Sequence, residues 1–384
     1  MSDNRSIYIH IPFCVRKCAY CDFYSGTDLS LIPDYLKALE TEIGLRAATD
    51  VPSNGSIDTI YFGGGTPSLL GVSQIENILQ TVRNRFQVSP DVEITAEINP
   101  GTVDAGYFSG LKGAGVNRLS IGVQSFNDDK LKFLHRIHNA DEACRALDYV
   151  KNAGFENISL DLIYGVPGET QASWIRDLKN ALERKPSHIS AYMLTLEPGT
   201  PLSDQMKKGT FAPFDSGMMS SLFKITSQYL NQAGFEHYEI SSFSRGTRYR
   251  SKHNSRYWDL TPYLGFGAAA HSYDGNIRSW NYKNTQRYIT DLSFGRLPVE
   301  DHETLTPEQK ITEFIMLRLR TLEGISLEEF QERFQLSFEN KFKDILGRIL
   351  DEDLGSIENN RFTLNLEGRT YLNSIVEAFA AAVL

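Results

Sequence analysis

Cys14, Cys18 and Cys21 stand in a C-x3-C-x2-C run, within His10-Ile-Pro-Phe-Cys-Val-Arg-Lys-Cys-Ala-Tyr-Cys-Asp-Phe. Three thiolates at this spacing can hold an inorganic centre. A [4Fe–4S] cluster normally takes four thiolates, one for each iron. Three supplied locally leave one iron open to a small chelating molecule, as a catalytic zinc keeps an open position that a structural zinc lacks. On spacing alone two other readings stay open: His10 completing a Cys3His zinc site, or three ordinary buried thiols.

Thiolates so placed need a scaffold. Short apolar, β-branched runs alternate with longer stretches of helical period through the first half, the pattern of successive βα units around a parallel sheet. Strands are predicted at Ile7–Ile11, Ile57–Phe62, Glu93–Ile98, Arg118–Val123, Ser159–Ile163 and His188–Leu194. The intervening helices are predicted at Pro33–Ala48, Val72–Phe86, Asp104–Gly113, Ala140–Ala153 and Gln171–Arg184. Six units are too few for the eight-stranded closed barrel. The fold class is therefore α/β, an incomplete (β/α)6 parallel barrel. Glycines, prolines and polar residues collect just after the strands, in Gly63-Gly-Gly-Thr-Pro-Ser68, Asn99-Pro-Gly101, Gln124-Ser125 and Tyr164-Gly-Val-Pro-Gly168. That end of a parallel barrel carries the active site, and the cysteine loop opens onto it.

Residues 1–240 are assigned to this barrel and a helical connector that follows Glu197-Pro-Gly-Thr-Pro201, and 241–305 to a linker region. At Thr306-Pro307, with Glu308 in the first turn, a new helix begins. Helices over Pro307–Arg320, Leu327–Phe334 and Phe342–Glu352, then short strands around Ile357 and Phe362–Leu366, make 306–384 a winged-helix-like α+β domain.

Composition narrows the function classes. The chain has 384 residues, 41% apolar and 23% charged, and its four cysteines, Cys144 being the fourth, make no disulfide framework. The opening run Met1–Ser6 is polar with no signal-peptide core, and no stretch reaches the roughly 18 apolar residues of a membrane span. A cytoplasmic location is expected. The net charge of −9 opposes nonspecific nucleic-acid binding. So does the C-terminal segment, where 14 acids outnumber nine Lys plus Arg. One local exception is Arg245–Arg256, with five cations and no acid, whose ordinary reading is a solvated loop.

In order along nearly the whole chain, the cysteine loop, Gly63–Ser68, Glu97-Ile-Asn-Pro100, Gly122-Val-Gln-Ser125, Asp161-Leu-Ile-Tyr-Gly165 and the C-terminal segment resemble the radical S-adenosylmethionine superfamily. More narrowly they resemble the group of oxygen-independent coproporphyrinogen III oxidase and its HemW-type heme chaperone relatives. The resemblance implies a [4Fe–4S] cluster on Cys14, Cys18 and Cys21, with S-adenosylmethionine on the open iron. It places Tyr8, Gly64, Gly65, Thr66, Glu97, Gln124, Arg136 and Asp161 at S-adenosylmethionine positions, and the backbone of Tyr20 near the adenine. The residue types suit that ligand. The glycines let main chain approach without a Cβ clash, and the Gly-Lys-Ser/Thr ending of a phosphate loop is absent. Glu97 can attract an ammonium or sulfonium, Arg136 can grip a carboxylate through its fork, and Gln124 and Asp161 can bind ribose hydroxyls or adenine edges. Singly, either acid could instead cap a helix and Arg136 could sit in a surface pair.

Two departures point away from the oxidase. Where the oxidase resemblance requires a further cysteine stands Phe23, and 13 residues precede Cys14 where the oxidase carries a long covering segment. A block His253-Asn-Ser-Arg-Tyr-Trp258 is the HemW-like mark. It offers an imidazole able to ligate iron and rings able to stack on a macrocycle. Arg245, Arg248, Arg250, Lys252 and Arg256 stand beside it for heme propionates, while His271 and His138 rival His253 as the ligand. The implied function is a heme chaperone that passes heme to an acceptor protein, docking through its C-terminal domain and barrel rim, with membrane contact at most through acceptor proteins; a homodimer is one arrangement open to it, and the sequence does not decide the oligomeric state. The alternatives are a radical enzyme such as the oxidase, in which the cofactors carry the hard chemistry, and a regulator using the winged helix, which the charge disfavours.

Overall fold

A computed structural model describes residues 5–49, 55–212 and 215–383; residues 1–4 of the polar opening run lie outside them. Strands β1 (Arg5–Ile11), β2 (Ile57–Gly64), β3 (Val88–Ile98), β4 (Arg118–Gln124), β5 (Asn157–Tyr164) and β6 (His188–Met193) lie side by side in chain order, all parallel. They are connected through α1 (Ile32–Thr49), α2 (Val72–Arg85), α3 (Ala105–Ala114), α4 (Asp128–Phe133), α5 (Ala140–Asn152) and α6 (Gln171–Glu183). This is the expected open (β/α)6 arrangement. The short α4 was not expected; the Asn127 side chain caps it by accepting from the N–H groups of Asp129 and Lys130.

The strands alternate strictly. Ile7, Ile9, Ile11, Ile60, Phe62, Ile94, Ala96, Leu119, Ile121, Leu160, Leu162 and Ile189 join the apolar core. The helices cover it with residues at i, i+3, i+4 and i+7, such as Ile75, Ile78, Leu79 and Val82 of α2. Residues between those positions face the other way, and they are polar. In register across the sheet run Tyr8, Tyr61, Thr95 and Arg118, and Glu97, Ser120, Ser159 and His188. Parallel strands are usually apolar on both faces; here one face is kept for chemistry.

Residues 241–305, expected as a linker, extend the sheet instead. After α7 (Pro201–Lys207) and α8 (Ser216–Gln232), β7 (Glu236–Glu239) and β8 (Ser242–Ser244) form a hairpin against β6. After α9 (Lys252–Trp258), β9 (Tyr263–Phe266) returns to the opposite edge and pairs with β1 in parallel. Then β10 (His271–Tyr273), β11 (Ile277–Asn281) and, beyond α10 (Thr285–Ser293), β12 (Val299–Thr304) add antiparallel. The order is β12-β11-β10-β9-β1-β2-β3-β4-β5-β6-β8-β7.

Glu42, fully buried in α1, ties the returning segment to the barrel. Its carboxylate accepts from the Gly267 N–H at 2.8 Å, Tyr288 Oη at 2.7 Å, Asn281 Nδ2 at 2.6 Å and Arg46 Nε at 3.1 Å. Gly267 has φ +105°, and a Cβ there would meet the Tyr35 hydroxyl and the His10 carbonyl, so glycine is needed at this crossing.

The last segment comprises α11 (Pro307–Leu319), β13 (Ile325–Ser326), α12 (Leu327–Phe334), α13 (Phe338–Lys341), α14 (Lys343–Asp351), β14 (Gly355–Glu358), β15 (Arg361–Leu364), α15 (Leu366–Thr370) and α16 (Leu372–Val383). Its own core gathers Phe314, Phe330, Phe338, Phe342, Phe362 and Phe379. The β14–β15 wing turns at Asn359 and Asn360, both with positive φ, as a two-residue hairpin demands. Helix α9 meets this domain: the Arg320 guanidinium lies 4.6 Å from the Trp258 ring and Arg318 pairs with Asp259 at 2.5 Å.

Candidate functional site

The polar face of the strands and the loops at their C-terminal ends enclose a cavity of about 900 Å³. Tyr8, Tyr20, Gly64, Gly65, Thr66, Glu97, Gln124, Arg136 and Asp161 all line it, together with Cys14, Cys18, Cys21 and His253. The structure thus brings the predicted cluster and S-adenosylmethionine residues, with His253, to one place, and leaves His138 outside the cavity lining.

The cysteine loop is held by main chain. The Cys14 N–H donates to Gly26 O at 2.9 Å, the Gly26 N–H to Pro12 O at 2.8 Å and the Leu202 N–H to Ala19 O at 2.9 Å. Phe13 anchors it from beneath, edge-on to Tyr35 at 5.2 Å. All three thiols are free, with Cys14 buried and the other two half-buried. Thr66 Oγ1 donates to Cys14 Sγ at 3.5 Å and Arg136 Nη1 to Cys18 Sγ at 3.4 Å, contacts that favour thiolate and sulfide charge. His10 takes no part. Its Nδ1 faces the Tyr8 hydroxyl at 3.1 Å and its Nε2 the Tyr24 carbonyl at 2.9 Å, so both nitrogens are committed and the Cys3His zinc reading fails.

The donors fit a cluster and its small chelating ligand. The glycine run forms a cradle that side chains would fill: a Cβ at Gly65 would sit 2.6 Å from Phe13 O, and one at Gly64, where φ is +109°, 2.6 Å from the His10 ring. Arg136 gives one nitrogen to Gly122 O at 2.9 Å, while its buried Nε has no hydrogen-bond partner among the described residues. A buried unpaired N–H is costly, and a ligand carboxylate would satisfy it. Gln124, at the end of β4, adopts φ +65°, strain of a kind that gathers at binding sites. Burial pushes the Glu97 carboxyl up to about 7, although the Tyr61 hydroxyl donates to it at 2.9 Å. Burial also raises Asp161, against the donations of Ser120 at 2.8 Å and Ser159 at 3.3 Å.

Several residues of this site were not anticipated. Tyr61, Ser120 and Tyr192 line the same cavity, and Arg118, 1% exposed, lies in the barrel interior with Nε and Nη1 lacking a hydrogen-bond partner among the described residues. Polar residues at every second position of a strand next to apolar ones were the available signal.

The block at 253–258 divides its labour differently from expectation. The His253 ring is buried, its Nδ1 bonded to Thr59 Oγ1 at 2.8 Å and its Nε2 to the Tyr257 hydroxyl at 2.9 Å. It stacks on Tyr61 at 4.9 Å, and burial, then Arg118, lowers its pKa to about 3. Both ring nitrogens are engaged by protein partners, and the ring packs as a neutral imidazole. Trp258 faces the C-terminal domain instead of the cavity. The neighbouring cations are engaged too: Arg250 with Glu236 and Glu323, Arg256 with Asp58, Lys252 with Asp91, Arg245 on the Phe235 ring and Arg248 on Tyr249. None of the five lines the cavity, so propionates would find their partners elsewhere.

An open parallel barrel with three loop thiols, a glycine cradle and opposed acidic and basic groups at the strand ends defines a radical S-adenosylmethionine protein. Residues 8–181 match the Radical SAM superfamily and residues 305–371 the HemN C-terminal domain. Proteins named heme chaperone HemW are 35% identical over 381 residues in Haemophilus influenzae (97% of each chain), and 35% over 378 in Bacillus subtilis (98% of this chain, 99% of that one). The chain belongs to the heme chaperone HemW family within that superfamily. The solved coproporphyrinogen III oxidase (HemN) of Escherichia coli, a radical SAM enzyme, superposes with a TM-score of 0.83 at 25% identity, covering 98% of this chain and 90% of its own. Superfamily membership carries with it a [4Fe–4S] cluster and S-adenosylmethionine, and the three thiols are the cysteines available in the cavity to hold the cluster. Among the described residues no helix is long and apolar enough to cross a membrane.

Proposed function

We propose that this chain is a cytoplasmic heme chaperone: it binds heme, keeps a [4Fe–4S] cluster on Cys14, Cys18 and Cys21 with S-adenosylmethionine beside it, and passes heme to an acceptor protein. The observation that carries the reading is similarity to heme chaperones over 97% of the chain. The cavity supports it. At about 900 Å³ it lies near the upper end of the roughly 300–1,000 Å³ usual for a small-molecule site, and it continues past the cluster loop to Tyr192, Met193, Tyr263, His271 and Lys283. At its mouth stands Phe23, 65% exposed. A phenyl ring there can lie against a porphyrin face; it cannot supply the extra thiol that the oxidase resemblance calls for. When bound, the cluster supplies an electron and an open coordination site; the protein orients the ligand through Arg136, Glu97 and Asp161.

Anaerobic reconstitution of the full chain followed by hemin titration tests the reading. Saturable binding near one hemin per chain is expected, with no protoporphyrinogen formed when the reduced protein meets coproporphyrinogen III and S-adenosylmethionine. Turnover of that substrate would reassign the chain to the oxidase class, which the HemN superposition keeps as the competing reading.

The raised Glu97 carboxyl sets a pH dependence. A cationic ligand needs the carboxylate, so below a pKa of about 7 its binding must expel a proton. The ratio of wild-type to Glu97→Gln affinities for S-adenosylmethionine therefore falls as pH drops below 7, by about tenfold per pH unit, and is flat above it. Equilibrium dialysis of cluster-loaded protein between pH 5.5 and about 8.5 measures the ratio across the window that one titrating group should control. A ratio independent of pH would remove Glu97 from the ligand's cation.

A further inference from the structure

The chain has eight histidines, and their surroundings sort them. His10, His138, His188, His237 and His253 are buried, and each has both ring nitrogens within hydrogen-bond distance of a protein partner. His135, His271 and His302 are exposed. Of these three only His271 lines the cavity, and among the described residues neither of its ring nitrogens has a hydrogen-bond partner. We propose that His271 is the iron ligand for heme, at the edge of the cavity that it lines together with Lys283, with Trp280 stacked on the imidazole.

The corner is built for a flat, carboxylate-edged metal macrocycle. His271 opens β10 and pairs across the hairpin with Trp280 of β11. The two rings stack with centroids 5.8 Å apart and planes 29° apart, which fixes the imidazole while leaving its nitrogens clear. Ala269, two residues earlier, has φ +65° and also lines the cavity; this left-handed turn after Gly267 brings β10 to the rim. Partial burial, then Lys283 and Arg278, lower the His271 pKa, which keeps the imidazole in its neutral, ligating form. Arg278 is spent on Glu303 and Glu313. Lys283 lines the cavity and has no ion pair among the described residues, so it is a cation available to a propionate, as is Lys17, which lines the same cavity.

The assignment rests on the heme-carrier reading, and one experiment separates the two. Hemin is titrated anaerobically into the cluster-loaded full chain, as wild type, His271→Ala, His271→Gly and His302→Ala. Loss of a metal-site side chain costs on the order of tenfold or more in affinity. That loss, with a displaced Soret band, is expected for both His271 variants and not for His302→Ala. Free imidazole should restore the wild-type spectrum to His271→Gly, a rescue that a purely structural histidine would not show. An unchanged Kd and Soret band in His271→Ala overturns the ligand assignment and leaves heme carriage standing. If the wild type binds no hemin saturably, carriage itself fails and the ligand with it.

Discussion

Serine at Cys14, Cys18 or Cys21 is expected to leave the reconstituted chain with iron and sulfide at background and no bound S-adenosylmethionine, while the fold persists. A hydroxyl does not ionise near neutral pH as a thiol can, and thiolate is what iron takes. The loop does not depend on the sulfurs for its shape. Main-chain bonds from Cys14 to Gly26 and from Gly26 to Pro12, with Phe13 packed below, hold it. At half-buried Cys18 and Cys21 the change should cost no more than about 0.5 kcal/mol. Iron and sulfide analysis, visible absorbance and circular dichroism together check this. Full iron content in a variant lacking all three sulfurs would place the cluster elsewhere.

The second large effect lies far from any ligand. Alanine at Glu42 strips one acceptor from four donors at once and leaves Arg46, 4% exposed, as a buried cation. Breaking a buried ion pair from one side costs about 3–5 kcal/mol. Arg46 still has Asn281 Oδ1 at 3.1 Å, which puts the expected loss toward the lower end. The first thermal transition should fall, and amide exchange should rise in 267–281, the stretch that presents His271. Glutamine, which keeps the acceptor oxygen, should recover most of the loss. An unchanged melting point in Glu42→Ala would show that the returning segment is held by other contacts.

How much of this was legible in the sequence depends on the range of the forces involved. Strands β1 to β6 and their helices were plain, because a run such as Arg-Leu-Ser-Ile-Gly-Val-Gln at 118–124 carries its burial pattern in its own alternation. The cysteines and Gly63–Thr66 were equally local. Strand β9 was not, because four residues mean little until β1 is beside them. Nor were the three-residue strands β8 and β10, whose pairing supplies what their sequences lack. The same limit explains the histidines. His253 and His271 look alike as letters beside aromatic and small residues. Thr59, contributed by β2 some 194 positions away from His253, decides that one is satisfied, and no local pattern reports it. The basic run at 245–256 resembled an anion site for the same reason, its acids being Asp58, Asp91, Glu236 and Glu323.

Placing β9 against β1 also imposes a timetable. Strand β1 leads directly into the cysteine loop, yet its second neighbour is residues 263–266. Tyr24, near the far end of that loop, likewise waits for Thr285, whose N–H donates to the tyrosine hydroxyl at 2.8 Å. On a ribosome adding roughly 5–20 residues per second, the loop is made some 10–50 s before these partners emerge. Until then β1 is an exposed sheet edge, the kind of surface that recruits stray strands, and its contacts are among the slowest to close. Cluster loading is therefore expected to follow the closing of β9 onto β1. A nascent or truncated form ending before β9 would carry all three thiols and still lack the wall against which they are set.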